Sequence, residues 1–367
     1  MAAAEGKAVE ARRARVLVRS VSIRGLRGIA EGELNGLSGI TVLVGPNNSG
    51  KSTVLEALYL AASGCEYDLL GRRTLEYVLR RRGWFGLSAA DWLFFGGRGS
   101  CDITLGVGEE AHVELKLVLE TGVVETGYLS NLKSRGLNID ALAFIMSLAN
   151  GAFRGKLKHY VDADGHYEVI RELAVGISMR TLLLDWGAVV SYGQPEECYS
   201  LMMRIGGIEA KNLVLSVIGQ KYRIKDLEPL KERDRWVLYV VHEEHSIPIY
   251  LMGDGLRLAL AYLMLLSVAS DALLLLEEPE LHQHPGLLGL VAEAIVRSHA
   301  QRRCQVVLST HSLELIDLLI EKAKELGVLD HLTVHRLSLE QGRLSSTSYS
   351  AREARELREE LEMDLRR

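Results

Sequence analysis

The chain has 367 residues, 48% of them hydrophobic and 6% aromatic, which predicts one or two domains with a mostly aliphatic core. Its 43 basic and 48 acidic residues give a net charge of −5, which argues against attachment to nucleic acid through bulk charge. Four cysteines lie far apart without a C-x-x-C pair, so we expect neither a zinc ribbon nor a disulfide framework. The sequence shows no signal-peptide pattern and no apolar run long enough to cross a membrane, and we expect a cytoplasmic protein without membrane contact.

The first third of the chain predicts two strands and a helix around a glycine-rich turn. Apolar and polar residues alternate over 16–23, which predicts a half-buried strand, and a second strand is predicted at 40–44. Helix 51–62 follows the turn, and helical stretches rich in Leu and Arg are expected within 68–95. Three further runs predict an antiparallel β lobe at 103–107, 113–119 and 123–129.

The rest of the chain predicts an insertion followed by alternating strands and helices. Because residues 131–211 carry helical patches at 139–149 and 195–203, we interpret them as a largely helical insertion. Strands are predicted after it at 222–224, 236–242, 247–251, 272–276, 305–309 and 332–336, and helices at 255–269, 286–299, 312–326 and 351–365. This alternation predicts an α/β fold with a central, mostly parallel sheet covered by helices.

A glycine-rich loop between strand 40–44 and helix 51–62 matches the pattern G-x-x-x-x-G-K-[ST]. The predicted binding residues of this phosphate loop are Gly45, Asn47, Asn48, Ser49, Gly50, Lys51, Ser52 and Thr53. Its glycines let backbone N–H groups turn toward an anion, and the helix amino terminus adds its dipole. Lys51 would contact the β- and γ-phosphates, and the Ser52 hydroxyl would bind Mg²⁺. No N-K-x-D motif for reading guanine follows the later acidic strand, so we expect ATP as the nucleotide.

Two later strands end in polar residues that suit phosphate chemistry. Glu277 and Glu278 directly follow the aliphatic run Leu273–Leu276, and ligands of open parallel sheets bind at the carboxyl ends of strands. We assign Glu277 to the Mg²⁺ ion and Glu278 to orientation of the attacking water. Another aliphatic strand leads to His311, which can hydrogen-bond a γ-phosphate oxygen. The predicted catalytic residues are therefore Glu278, His311 and Lys51.

The three motifs in this order resemble the head domain of ABC-type ATPases. Within that class they resemble the SMC-like heads of repair and chromosome ATPases and the overcoming-lysogenization-defect group. The opening Ile23–Ile29 is similar to that group's first-strand pattern, and the resemblance makes Arg27 the candidate arginine that approaches the nucleotide. The run Glu277–Pro285 is similar to the group's acidic motif and the loop after it. The resemblance implies a P-loop NTPase fold of the ABC-head type, as a stand-alone head without the nuclease domain of longer members.

The same resemblance implies a homodimer that encloses two ATP molecules, each head presenting a signature loop to the γ-phosphate on the other. The turn before helix 255–269 lies where that loop belongs, and Gly253 and Gly255 would direct N–H groups at the phosphate. The serine of the family is absent, and Leu251 and Met252 stand there instead. The glutamine that senses Mg²⁺ in ABC heads has no clear match in this sequence.

We predict a split ATPase head over 16–130 and 212–350, an insertion over 131–211 and a carboxyl-terminal helix over 351–367. The predicted activity is slow hydrolysis of ATP, coupled to an unidentified partner in DNA repair, chromosome maintenance or defence. A partner protein or nucleic acid would bind the insertion or the basic run Arg80–Arg82, although a solvated helix face also explains that run. The alternative is a non-hydrolysing module in which ATP gates docking of a protein, nucleic acid or ribosome. The absent serine favours this alternative, and Glu278 opposes it.

Overall fold

The computed structural model describes residues 18–81, 91–108, 111–120, 142–150, 153–161, 167–173, 179–187, 195–359 and 364–366. The strands are β1 (Val18–Leu26), β2 (Ile29–Asn35), β3 (Ile40–Val44), β4 (Ser100–Val107), β5 (Ala111–Glu120), β6 (Leu142–Asn150), β7 (Phe153–Val161), β8 (Tyr167–Leu173), β9 (Thr181–Leu184), β10 (Asp226–Glu232), β11 (Arg235–Val241), β12 (Ser246–Pro248), β13 (Leu273–Glu277), β14 (Gln305–Ser309), β15 (Leu332–Glu340) and β16 (Arg343–Ser350). The helices are α1 (Lys51–Ser63), α2 (Thr74–Arg80), α3 (Pro195–Tyr222), α4 (Asp254–Leu266), α5 (Pro285–Arg302), α6 (Leu313–Glu325) and α7 (Ala351–Glu359). Single turns of 3₁₀ helix lie at Phe95–Gly97, Ile249–Leu251 and Leu329–His331.

Thirteen of the strands form one sheet, in the order β8-β7-β6-β5-β4-β1-β2-β16-β15-β3-β14-β13-β9. Parallel ladders join β2 to β16, β15 to β3, β3 to β14, β14 to β13 and β13 to β9. The strands from β2 through β1 to β8 pair antiparallel. The predicted fold, a mostly parallel central sheet with an antiparallel β lobe, is confirmed. The strands β10, β11 and β12 form a second, antiparallel sheet.

Helix α1 lies at the centre of the molecule. Its sequence is apolar on nearly every side, and all of its side chains except that of Ser52 are buried. It contacts β1, β4 and β5 of the antiparallel lobe as well as β9, β13 and β14 of the parallel part. A helix that is apolar all round needs cover on all sides, and the sheet provides it by curling around α1. The fold therefore fixes the start of α1, and with it the phosphate loop, against the parallel strands.

The two parts of the sheet meet at a short seam between β2 and β16. This seam pairs only Arg343 with Glu31 and Leu344 with Gly32. A β-carbon on Gly32 would collide with the side chain of Leu344, so glycine permits the close approach. The Ala30 N–H donates to the Gly342 carbonyl at 2.7 Å just beyond the paired residues. The antiparallel lobe is thus joined to the parallel part over two residue pairs of main chain.

The prediction of a largely helical insertion over 131–211 is wrong for most of its described residues. Strands β6, β7 and β8 extend the antiparallel lobe, and β9 is the edge strand beside β13. The predicted helix at 139–149 is strand β6, because a short, almost wholly apolar run does not distinguish a buried helix from a strand by its period. Pairing with β5 and β7 on both sides provides partners for its backbone groups. Among the described elements of this segment, α3, which begins within the insertion, is helical as expected.

Most other predicted elements are confirmed with shifted ends. The strand expected at 222–224 is instead the end of α3, and β2 and β16 were not predicted. The strand expected at 123–129 lies outside the described residues. Helix α7 agrees with the predicted carboxyl-terminal helix as far as Glu359. No helix among the described residues is long and apolar enough to cross a membrane.

Candidate functional site

Three neighbouring parallel strands end at the same edge of the sheet and bring the predicted motifs together. Strand β14 lies between β3 and β13, with Ser309 paired to Leu43 on one side and to Glu277 on the other. The phosphate loop follows β3, His311 follows β14, and the acidic residues follow β13. Parallel pairing places their carboxyl ends side by side, as ligand sites of open α/β sheets require.

The phosphate loop contains residues with positive φ, a backbone conformation that glycine and asparagine adopt more readily than other residues. Gly45, Asn48 and Gly50 have φ values of 143°, 63° and 92°, and a β-carbon on Gly45 would meet the Leu337 carbonyl oxygen. These angles turn successive backbone segments around a common centre. The side chains of Asn47 and Asn48 are exposed at the rim of the loop. The loop is therefore built by backbone conformation rather than by side-chain packing.

Lys51 lies beneath the loop and is held by it. Its Nζ donates to the carbonyl oxygens of Gly45 and Pro46, both at 2.9 Å. Burial lowers the pKa of Lys51, and the charges of Glu278 and Glu280 oppose that shift. The Lys51 ammonium group thus donates its hydrogen bonds to carbonyl oxygens of the loop. From this position it is within reach of any phosphate that the loop binds.

Glu278 and His311 face each other across the strand ends. The Glu278 backbone adopts a left-handed φ of 46°, and its N–H donates to the Ser309 carbonyl at 3.0 Å. His311 Nε2 lies 3.7 Å from Glu278 Oε1, and about a third of each side chain is exposed. Burial and the charges of Lys51 and Arg366 lower the pKa of His311, while Glu278 raises it. The pair is accessible from solvent and contains one acceptor carboxylate beside one imidazole.

Glu280 fixes the backbone of the histidine loop, a role for which the sequence analysis made no prediction. Its Oε1 accepts from the Thr310 hydroxyl at 2.7 Å and from the His311 N–H at 2.8 Å. Burial raises the pKa of Glu280, and these two hydrogen bonds oppose the shift. The only signal in the sequence was its position in the Glu-Glu-Pro-Glu run, in which Glu277 and Glu278 had assigned roles and the third carboxylate had none.

Glu277 is part of a buried network of charges. Its carboxylate pairs with the guanidinium of Arg81, which also lies 2.9 Å from Glu56 Oε1 and 2.7 Å from Asp185 Oδ2. The side chains of Arg81 and Glu56 are 4% and 0% exposed. Asp185 follows β9 next to Glu277, because Leu184 pairs with Leu276 in the preceding register position. Three carboxylates from three elements therefore share one arginine.

Arg27, predicted to approach the nucleotide, belongs to this charge network in the structure. Its Nε donates to Glu56 Oε2 at 2.6 Å, and its Nη2 donates to the Val78 carbonyl at 3.0 Å. The residue itself has a left-handed φ of 49° at the turn between β1 and β2. These contacts tie the turn to α1 and α2, and the role of Arg27 toward a nucleotide stays a prediction.

The oxygen donors at the sheet edge fit Mg²⁺. Ser52 at the start of α1 offers a hydroxyl, and Glu277 at the end of β13 offers a carboxylate. Mg²⁺ prefers oxygen ligands and binds nucleotide sites through one or two protein groups together with the phosphates. Both residues keep some exposure, although the Glu277 carboxylate is already paired with Arg81, and binding of Mg²⁺ by the two residues stays a prediction.

Two family models of AAA ATPase domains match parts of the chain. A family model described as "AAA domain, putative AbiEii toxin, Type IV TA system" matches residues 204–317, and one described as "AAA ATPase domain" matches residues 17–75. The uncharacterized protein MJECL11 of Methanocaldococcus jannaschii is 37% identical over 115 residues, which cover 31% of this chain and 99% of that protein. The uncharacterized protein MJECL10 of the same organism is 23% identical over 229 residues, which cover 62% of this chain and 97% of that protein.

Comparison with solved structures shows which type of ATPase head this fold resembles. The crystal structure of an Smc head bound to the C-winged helix domain of ScpA superimposes with a TM-score of 0.50 and 16% identity. The match covers 92% of this chain and 100% of that one. Two parts of the chain thus match AAA ATPase family models, and its fold is similar to that of an SMC head. At this identity the fold is what the two heads share.

The predicted signature loop lies against the turn that follows the acidic motif. Gly253 is the residue before α4, and a β-carbon on Gly255 would collide with the His282 carbonyl oxygen. The Gln283 side chain donates to the Gly255 carbonyl at 3.1 Å. Leu251, just before the loop, is 67% exposed. The close approach explains the glycine at 255, and action of this loop across a dimer stays a prediction.

The described residues of the basic run, Arg80 and Arg81, both pair with carboxylates of this chain. Arg81 is buried in the charge network, and Arg72 pairs with Asp68 and donates to the Leu183 carbonyl. Arg80 pairs with Glu76 one turn earlier on α2. The buried Arg81 is therefore not available to a nucleic acid, whereas Arg80 keeps 30% of its side chain exposed, and binding of a nucleic acid there stays a prediction. Residues 82 and 84 lie outside the described part of the chain.

Proposed function

We propose that this head binds ATP with Mg²⁺ and hydrolyses it to ADP and phosphate between two copies of the chain. The observation that carries the proposal is the convergence of Lys51, Glu278 and His311 at one edge of the sheet, with His311 Nε2 3.7 Å from Glu278 Oε1. Residues so far apart in sequence meet there only because β3, β14 and β13 are neighbours. A phosphate-binding loop with its lysine and a carboxylate that can position water serve phosphoryl transfer to water, and an imidazole can add a hydrogen bond to the γ-phosphate.

In this proposal each residue has a separate task. Lys51 moves from the loop carbonyls to the β- and γ-phosphates, and His311 hydrogen-bonds a γ-phosphate oxygen. Bound Mg²⁺ neutralises phosphate charge, and Ser52 and Glu277 are the residues that would hold it. Glu278 orients a water molecule and accepts its proton as the water oxygen attacks the γ-phosphorus. The bond from that phosphorus to the bridging oxygen breaks, and ADP leaves.

The homodimer and the partner are proposed from the resemblance to SMC-like heads. Gly253 and Gly255 would bind the γ-phosphate held by the second copy. The Smc head matched above was solved with a domain of a second protein bound to it, which supports docking of a partner protein here as well. The described strands of the 131–211 segment, and not a separate helical lid, are the surface that such a partner would meet. The family description with a toxin–antitoxin system supports a defence role, beside repair or chromosome maintenance.

The test is phosphate release by the wild type and by Glu278→Gln, with the mass in solution recorded with and without ATP. We expect the variant to lose at least about a hundredfold in turnover, because the proton acceptor is gone, and to accumulate as an ATP-dependent dimer. Glu293→Gln is the matched control, since Glu293 pairs with Arg297 on the exposed side of α5. Equal turnover by wild type and Glu278→Gln would contradict the assignment.

A second candidate is a head that binds ATP without hydrolysing it. The exposed Leu251 beside the signature loop favours this candidate, because an apolar side chain there offers no hydrogen bond to a γ-phosphate. The same experiment separates the two functions. ATP-dependent dimers without phosphate release from the wild type would support the gated module.

A further inference from the structure

The segment Asp364–Arg366 packs against the loop that carries His311. The Leu365 side chain is fully buried, so the segment is anchored by an apolar contact. Arg366 Nη1 donates to the His311 carbonyl oxygen at 3.0 Å. This hydrogen bond joins the last described residues of the chain to the edge of the sheet where the candidate catalytic groups meet.

The Arg366 guanidinium is held in place by its neighbour Asp364. Arg366 Nε donates to Asp364 Oδ1 at 2.7 Å, and Nη2 donates to Asp364 Oδ2 at 2.9 Å. The backbone N–H of Arg366 also donates to Asp364 Oδ1, at 3.0 Å. A two-point contact of this kind fixes the orientation of the planar guanidinium. The remaining donor, Nη1, is thereby directed at the His311 carbonyl.

The peptide groups on both sides of His311 are consequently fixed by charged side chains. Glu280 accepts from the His311 N–H, and Arg366 donates to the His311 carbonyl. With both backbone groups held, the imidazole has only its side-chain torsions free, and it lies beside Glu278. Catalytic groups need this kind of support, because misplacement by about 1 Å can cost on the order of a hundredfold in rate.

We propose that Arg366 is a positioning residue of the ATP site, which acts by holding the backbone of His311 from the side opposite to Glu280. The inference rests on the proposed function insofar as His311 is taken to contact the γ-phosphate. It adds a segment outside the sequence motifs to the site, and assigns the pair Asp364 and Arg366 a function in turnover rather than in folding alone.

The test compares Arg366→Gln, Arg366→Lys and the control Arg358→Gln. Arg358 forms a similar two-point pair, with Asp317 on α6, and has no described contact with His311. We expect Arg366→Gln to lower kcat about tenfold or more with KM for ATP changed less than about twofold. Arg366→Lys should recover part of kcat, and the control should match the wild type. Unchanged kcat in Arg366→Gln would overturn the proposal.

A double-mutant cycle with His311→Gln shows whether Arg366 acts through His311. In the His311→Gln background, Arg366→Gln should cause little further loss of kcat, because the group that it positions is already absent. Additive losses would mean that Arg366 acts elsewhere and would overturn the inference.

The same variants can also be compared by their affinity for nucleotides. This comparison tests the inference separately from the proposed hydrolysis. The readout is the ratio of the affinities for a non-hydrolysable ATP analogue and for ADP, which reports the contact of His311 with the γ-phosphate. If the wild type releases no phosphate, hydrolysis fails as a function. A lower ratio in Arg366→Gln, with no further loss in the double variant, would still support positioning. An unchanged ratio in Arg366→Gln would refute it.

Discussion

Glu278 and Glu280 at the sheet edge differ in solvent exposure and in hydrogen bonding. Glu278 is partly exposed and free to face a ligand, whereas Glu280 is mostly buried and holds Thr310 and the His311 N–H. Burial dominates at Glu280 and raises its pKa despite the two hydrogen bonds. Two glutamates that are separated only by Pro279 therefore have different roles. Glu278 can face a substrate, and Glu280 holds the backbone.

The raised pKa of Glu280 predicts a pH-dependent effect of Glu280→Gln. A carboxyl whose pKa is higher in the folded than in the unfolded state binds its proton more tightly when folded. That stabilisation is full below the ordinary pKa of 4.5 and is lost as pH rises through the folded value. Glutamine keeps the uncharged form at every pH and can still accept both hydrogen bonds. We expect Glu280→Gln to have the larger free energy of unfolding at pH 7, measured by urea denaturation.

The difference between Glu280→Gln and wild type should shrink as the pH falls toward 4, where the wild-type carboxyl takes up its proton. Glu280→Ala is the comparison variant, since it removes the acceptor and should destabilise at pH 7 by about 1–3 kcal/mol. A Glu280→Gln protein less stable than wild type at pH 7 would show that the charged form is the favoured one.

At the scale of elements, the buried charge network connects α1, α2, β9 and β13 through Arg81. Glu56 comes from α1, Asp185 follows β9, and Glu277 ends β13. A charge buried without a partner is costly, so loss of the shared arginine leaves carboxylates of three elements poorly compensated. The network thereby places the end of β13, with Glu277, relative to α1, with Ser52, and these are the two residues proposed to bind Mg²⁺.

Arg81→Met is predicted to destabilise the protein by about 3–5 kcal/mol, because it breaks buried pairs by removing one partner. Arg80→Met is the control on the adjacent residue. Its pair with Glu76 is partly exposed, and its loss should cost less than about 1 kcal/mol. Urea denaturation of both variants measures the contrast. Similar small losses in the two would show that the network contributes little to folding.

The sequence predicted the elements whose signals are local and failed where the deciding contacts are distant. The phosphate loop, the acidic strand end and the Ser312-capped helix α6 are marked by adjacent residues, and the structure has them at the expected positions. Strand β6 was predicted as a helix, because only its pairing with β5 and β7 decides the conformation. Nothing near Arg81 in the sequence indicates that its partners include Asp185 after β9 and Glu277 at the end of β13.

At the scale of the whole molecule, the four cysteines report on global folding. Cys65, Cys101, Cys198 and Cys304 are all buried thiols. Burial raises the pKa of each thiol, to about 12 for Cys101 and Cys198 and about 11 for Cys304, and beyond that range for Cys65. Since the thiolate is the reactive form, the folded protein offers very little of it at neutral pH.

We therefore expect iodoacetamide at pH 8 to leave the native protein unmodified over the time in which unfolded chains react at all four cysteines. Modification should follow the unfolding transition in urea, as intact mass measures it. Rapid labelling of one cysteine in the native state would identify a region that opens without global unfolding.

The short seam between β2 and β16 has a mechanical consequence for such a molecule. A sheet transmits load through its ladders, and this one narrows to two residue pairs at the seam, whereas the ladder between β15 and β16 beside it pairs Thr333 through Glu340. We therefore expect bending of the sheet to concentrate at this seam, limited by the packing of α1 against both parts of the sheet. A force on the antiparallel lobe would then tilt the lobe about the seam between β2 and β16. The contact of Arg27 with Glu56 on α1 would transmit this tilt to the sheet edge that carries the phosphate loop.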